Sequence, residues 1–93
     1  MNYREQNFSV KLYKLMSNAN RLKIINLLSR SPQGLKVTDI AEELNLEMSN
    51  VSNHLLRLRE NRVLKAKQTG NHMYYSIRDD RYVAVMNVTK KLS

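Results

Sequence analysis

Apolar positions recur at helical spacing along most of this chain and switch to strict alternation once. Phe8, Leu12, Leu15 and Met16 predict a first helix, α1, over about residues 8–16. Leu22, Ile25 and Leu28 form one stripe of a second, α2, over residues 20–30, which Ser31-Pro32-Gln33-Gly34 ends. Val37, Ile40, Ala41 and Leu44 follow the i, i+3, i+4, i+7 rule and predict a short α3 over residues 37–44. Some three residues later α4 begins, residues 48–61, with Met48, Val51, Leu55 and Leu58 facing inward. The period then falls to two. Leu64, Ala66 and Gln68 alternate with Lys65 and Lys67 (β1, residues 64–68), and Met73, Tyr75 and Ile77 alternate with Tyr74, Ser76 and Arg78 (β2, residues 73–78). Thr69-Gly70-Asn71-His72 between them predicts a hairpin with a glycine-assisted turn. Asp79 and Asp80 are placed to cap a last helix, α5, running to about residue 92 with Tyr82, Val85, Met86 and Leu92 among its apolar positions.

The expected fold is therefore mainly α with a small β-hairpin, in the order α1-α2-α3-α4-β1-β2-α5. With two glycines, one proline, no repeat and no linker-like stretch, residues 1–93 are expected to form a single domain. Two helices joined by a tight turn and followed by a basic hairpin are the plan of a winged helix-turn-helix, in which the second helix of the pair enters the major groove.

Charge sharpens this picture. Sixteen Lys and Arg against eight Asp and Glu give a formal charge of +8. The excess is uneven: Arg57, Arg59, Arg62, Lys65 and Lys67 crowd one stretch whose only acid is Glu60. Such a patch favours a polyanion, because binding releases condensed counterions. Apolar residues nowhere approach the run of about 20 needed to span a bilayer, and the first seven residues lack a signal-peptide core. A cytoplasmic protein without a membrane role is expected. The absence of cysteine removes disulfides, thiolate metal sites, thiol redox sensing and cysteine nucleophiles together.

The stretch Ser49-Asn50-Val51-Ser52-Asn53-His54 is unusual for an exposed helix, where Glu, Lys and Gln have the better propensities. Poor helix formers gathered on one outer face point to a surface kept for contacts. Ser49, Asn50, Ser52, Asn53, His54 and Arg57 are the expected DNA-contacting residues of α4. Asn can pair with adenine in a bidentate way, Arg with guanine or a phosphate, and small hydroxyls permit close approach. Lys65, Lys67, Asn71 and His72 are the expected contacts of the wing. An RNA-binding role lacks an aromatic platform on which single-stranded bases would stack. An enzyme is not expected, since no Ser-His-Asp, paired-carboxylate or phosphate-loop arrangement occurs.

Asn20-Arg21-Leu22-Lys23-Ile24, Val51-Ser52-Asn53-His54-Leu55, Leu64-Lys65-Ala66-Lys67 and Gly70-Asn71-His72-Met73-Tyr74-Tyr75-Ser76-Ile77 occur in an order and spacing that resemble the ArsR/SmtB repressors, from Leu12 to Leu92. The resemblance implies a homodimer whose first and last helices form the interface, here through Phe8, Leu12, Leu15, Val85, Met86 and Leu92. It departs at Glu47, where the family usually has Ser or Thr, at Leu56-Arg57, which reverses a common basic-then-apolar order, and at Asn71, often Arg. Many relatives sense metal through cysteines on the third helix, where this chain has Gly34-Leu35-Lys36-Val37-Thr38, or through acids and histidines of the last helix. In that second site Asp79 matches the first ligand, but Arg81 and Leu92 replace the histidines. Zinc needs about four N, O or S ligands, so neither a metal nor another cofactor is expected. The function this implies is a repressor that binds a palindromic operator on double-stranded DNA. The alternative is a protein-interaction module that keeps the dimer fold with weak or no operator binding.

Overall fold

A computed structural model describes residues 14, 15 and 17–78. The predicted α1 (apart from Lys14 and Leu15, which are helical) and all of α5, with its expected caps Asp79 and Asp80, lie outside the described residues. Between them the elements follow the predicted order: α2 Ala19–Ser29, α3 Val37–Leu44, α4 Met48–Glu60, β1 Leu64–Thr69 and β2 His72–Ile77.

Each helix starts and stops for a local reason. The Asn18 side chain caps α2, its Oδ1 accepting from the backbone N–H of Asn20 at 3.0 Å and of Arg21 at 3.1 Å. Asp39 holds the start of α3, where its carboxylate accepts from the Lys36 backbone N–H at 3.4 Å. Glu47 stands at the N-cap of α4 and makes no side-chain cap bond. The helix therefore lacks the device that Ser or Thr would supply there. Both α3 and α4 end in a left-handed residue that is not glycine, Asn45 at φ 53 and Arg62 at φ 62. In each case a following apolar residue donates five positions back: Leu46 to the Ala41 carbonyl at 2.9 Å and Val63 to the Leu58 carbonyl at 2.9 Å. The same closure thus sets the helix-turn-helix corner and aims β1.

The core is formed by Leu15, Ile24, Ile25, Leu27, Leu28, Ile40, Ala41, Val51, Leu55, Leu58, Val63 and Leu64. Met48, expected to face inward, is 52% exposed. As the first residue of α4 it lies beyond the edge of the stripe that Val51, Leu55 and Leu58 bury. Leu46, from the turn, packs against the core instead.

The hairpin is antiparallel, with Leu64 opposite Ile77, Lys65 opposite Ser76, Ala66 opposite Tyr75 and Lys67 opposite Tyr74. Of the two loop residues only Gly70 has a positive φ, 62, the pattern of a II′ turn with glycine in its first central position. A third, one-residue strand joins the sheet: Leu35 and Tyr75 exchange backbone hydrogen bonds of 2.9 and 2.8 Å. Gly34 makes this possible. It has φ +89, and a Cβ there would stand 3.0 Å from the Tyr75 carbonyl oxygen, so no other residue lets the two backbones approach without displacement.

Candidate nucleic-acid interface

At about 100° per residue, Ser49 and Asn53 stand opposite Val51, Leu55 and Leu58, which have no exposed surface. Asn50, His54 and Arg57 follow one another along one edge of α4, and Ser52 lies on the other edge beside Met48 and Arg59. Ser49, Asn50, Ser52, Asn53 and Arg57 are exposed, and His54 is half-buried. The six residues expected on the recognition helix thus share its solvent side but not one line. Leu56, at 55% exposure, adds an apolar side chain to that surface.

The wing residues divide by position. Asn71 and His72 are exposed at the tip. Lys65 and Lys67 are exposed on the face of the hairpin turned away from the core, opposite the half-buried Ser76 and Tyr74. That face borders an open cleft of about 500 Å³, which Pro32 and Gln33 also line. Leu15, expected at a dimer interface, is buried in the chain's own core, which leaves it little surface for a partner. Phe8, Leu12, Val85, Met86 and Leu92 lie outside the described residues.

Burial and the neighbouring cations Arg21 and Arg57 together hold the His54 imidazole below its ordinary range, burial being the larger cause. Arg21 is a residue that sequence periodicity does not single out. It belongs to the first turn of α2, which contains no acidic residue. A cation placed at the positive end of a helix dipole was the available sign. The sign of the pH effect follows from the lowered value. Above about pH 6.5 His54 is neutral in both folded and unfolded chains and stability is flat. As pH falls below that, the unfolded chain takes up the proton first and stability declines until the folded value is passed. Thermal melts of the wild type and His54→Gln should therefore converge, or cross in favour of the variant, between pH 7.5 and 5.5. A difference that stays constant over that range would remove His54 as the cause.

Among the described residues, three helices around one core, the outermost face of one of them polar and exposed, and a basic wing define a winged helix-turn-helix transcription regulator. The sequence pattern of the bacterial regulatory proteins of the arsR family matches residues 18–66, more than half of the chain. The transcriptional repressor PagR of Bacillus anthracis is 37% identical over 78 residues, covering 84% of this chain and 77% of that protein. Its crystal structure superposes with a TM-score of 0.84, covering 95% of this chain and 99% of PagR. The AntR antimony-specific repressor superposes with a TM-score of 0.87 at 34% identity, covering 98% of this chain and 81% of AntR. The HTH-type transcriptional regulator YgaV of Escherichia coli K12 is 30% identical over 81 residues, covering 87% of this chain and 81% of YgaV. The chain belongs to the ArsR family and is a transcriptional repressor of the winged helix-turn-helix type.

Proposed function

We propose that this repressor binds a palindromic operator as a homodimer, reading bases with the outer face of α4 and holding phosphates with its wing. The observation that carries the reading is the division of α4 into two faces. Val51, Leu55 and Leu58 are wholly buried, while Ser49, Asn50, Ser52 and Asn53 are exposed on a helix they do nothing to stabilise. Lys65 and Lys67 follow on the outer face of β1, with Asn71 and His72 at the tip. Twofold symmetry would set the two recognition helices about 34 Å apart, one turn of DNA. The interface is assigned to α1 and α5.

No metal sensor is part of this reading. The chain has no cysteine, and its two histidines stand on α4 and at the wing. Among the described residues no three His, Asp or Glu side chains cluster as metal ligands would. The test is a gel shift against the DNA upstream of its own gene, with and without zinc. A discrete complex that outlasts competition by random DNA, and that zinc leaves within a few-fold in affinity, is expected. Release of the DNA by stoichiometric zinc would overturn the metal-free reading. Failure to distinguish this DNA from random sequence would favour the interaction module.

A further inference from the structure

We infer that Arg21 and His54, together with Arg57, form a seat for one backbone phosphate of duplex DNA, beside the face that reads bases. The inference rests on the DNA-binding reading above and adds α2 to the surface that makes it.

Four observations converge on this place. The Nε of Arg21 is enclosed and has no hydrogen-bond acceptor among the described residues, although the residue as a whole is half-exposed. A buried guanidinium donor without an acceptor costs free energy, a cost that an incoming anion would offset. The backbone N–H of Arg21 donates to the Asn18 side chain, which supplies the cap of α2. Arg21 also lies in the first turn of that helix, where the macrodipole is repulsive to a cation and no acid offsets it. Finally, beside burial, which is the larger cause, the positive charges of Arg21 and Arg57 both lower the pKa of His54, and among the described residues no carboxylate offsets them. One cation from the first turn of α2 and one from the edge of α4 therefore act on the same titratable ring.

In the free protein this arrangement is repulsive. An anion reverses each of these costs at once. Arg21, half-exposed, can swing its guanidinium outward so that Nε and one Nη donate side by side to two phosphate oxygens, the bidentate geometry for which arginine is suited. Arg57, on the same edge of α4 as His54, can close on the phosphate from the other side, and a protonated His54 can donate between them. Asn53 is the neighbour of His54 on the outer face. A phosphate held here would fix how deeply α4 sits in the groove while carrying no sequence information itself.

The experiment uses a fluorescent random-sequence duplex of 30 base pairs, titrated with wild type, Arg21→Gln, Arg21→Lys and His54→Gln over a series of salt concentrations, with a thermal melt of each protein. Arg21→Gln is expected to weaken binding about 3–10-fold near 0.1 M salt and to lower the salt slope by about one. Arg21→Lys should keep the slope and lose part of the affinity, since it retains the charge without the fork. Wild type is expected to bind more tightly as pH falls from 7.5 to 6, and His54→Gln should lose that strengthening. If Arg21→Gln fails to fold, the lysine and histidine variants decide the question by the same two readouts. A wild type that binds with a steep salt slope, alongside folded variants that match it in affinity, slope and pH response, overturns the phosphate seat and leaves the DNA-binding reading standing. A wild type with no salt-dependent binding to any duplex overturns both. Arg21-dependent displacement of the His54 ring resonances by inorganic phosphate, with duplex affinity unchanged in Arg21→Gln, would make this a site for a free anion and would also overturn the proposal.

Discussion

Replacing Leu55 with Ala is expected to destabilise the protein by about 2–5 kcal/mol. Leu55 has no exposed surface and lies midway along α4, between Val51 and Leu58, which are equally buried. Truncation removes three carbons from a close-packed interior and leaves a cavity that the surrounding helices fill only in part. Small domains have total stabilities of about 5–15 kcal/mol, so the loss is a large share of the whole. For a domain of this size each kcal/mol lowers Tm by about 4–8 °C, and a fall of 10 °C or more should appear in a thermal melt. DNA binding should weaken on every sequence alike, in step with the unfolded fraction. A Tm within 2 °C of wild type would show that the buried stripe of α4 is not what fixes the helix.

Replacing Asn53 with Ala, two positions earlier on the same helix, should do the opposite. Asn53 is exposed and stands on the far side of α4 from Leu55. Exposed substitutions away from special features change stability by about 0.5 kcal/mol or less, and Ala is the better helix former, so Tm should hold or rise slightly. Affinity for the operator should fall by about 1–3 kcal/mol, roughly 5–150-fold, while affinity for random duplex stays close to wild type. The separation arises because a base-edge contact contributes to discrimination and phosphate contacts contribute to all binding. Equal losses on both DNAs would assign Asn53 to a phosphate. No loss on either would remove the outer face of α4 from the interface.

The pairing of these two results tests how much of the site was legible in periodicity. Val51, Leu55 and Leu58 were placed by helical spacing alone, because a 3.6-residue repeat leaves one stripe facing any core. Once that stripe is set, the solvent side of Ser49, Asn50, Ser52 and Asn53 follows. Lys65 and Lys67 were equally legible, since alternation puts them opposite Leu64 and Ala66 whatever the hairpin packs on. Met48 was not legible. It keeps the helical phase, but at the first turn the decision belongs to how the chain enters the helix, and the turn places Leu46 against the core in its stead.

What the sequence by itself determined is local: the phase of α2, α3 and α4, the glycine-assisted turn at Gly70, the charge excess and the chemistry that zero cysteines exclude. These depend on neighbours a few residues apart, where backbone geometry leaves little choice. The tertiary structure alone decided which distant parts meet. Gly34 lets Leu35 pair with Tyr75, forty residues away, because only a residue without a Cβ allows that approach. Leu15, which the resemblance gave to a dimer interface, is buried in the chain's own core, a matter of which distant residues pack on it. Arg21 and Arg57, on different helices, came to act on the same ring, His54, only through tertiary packing. The enclosed Nε of Arg21 is a product of that packing, which no pattern within α2 records, since the energy of a charge depends on what surrounds it in space and not on its place in the chain.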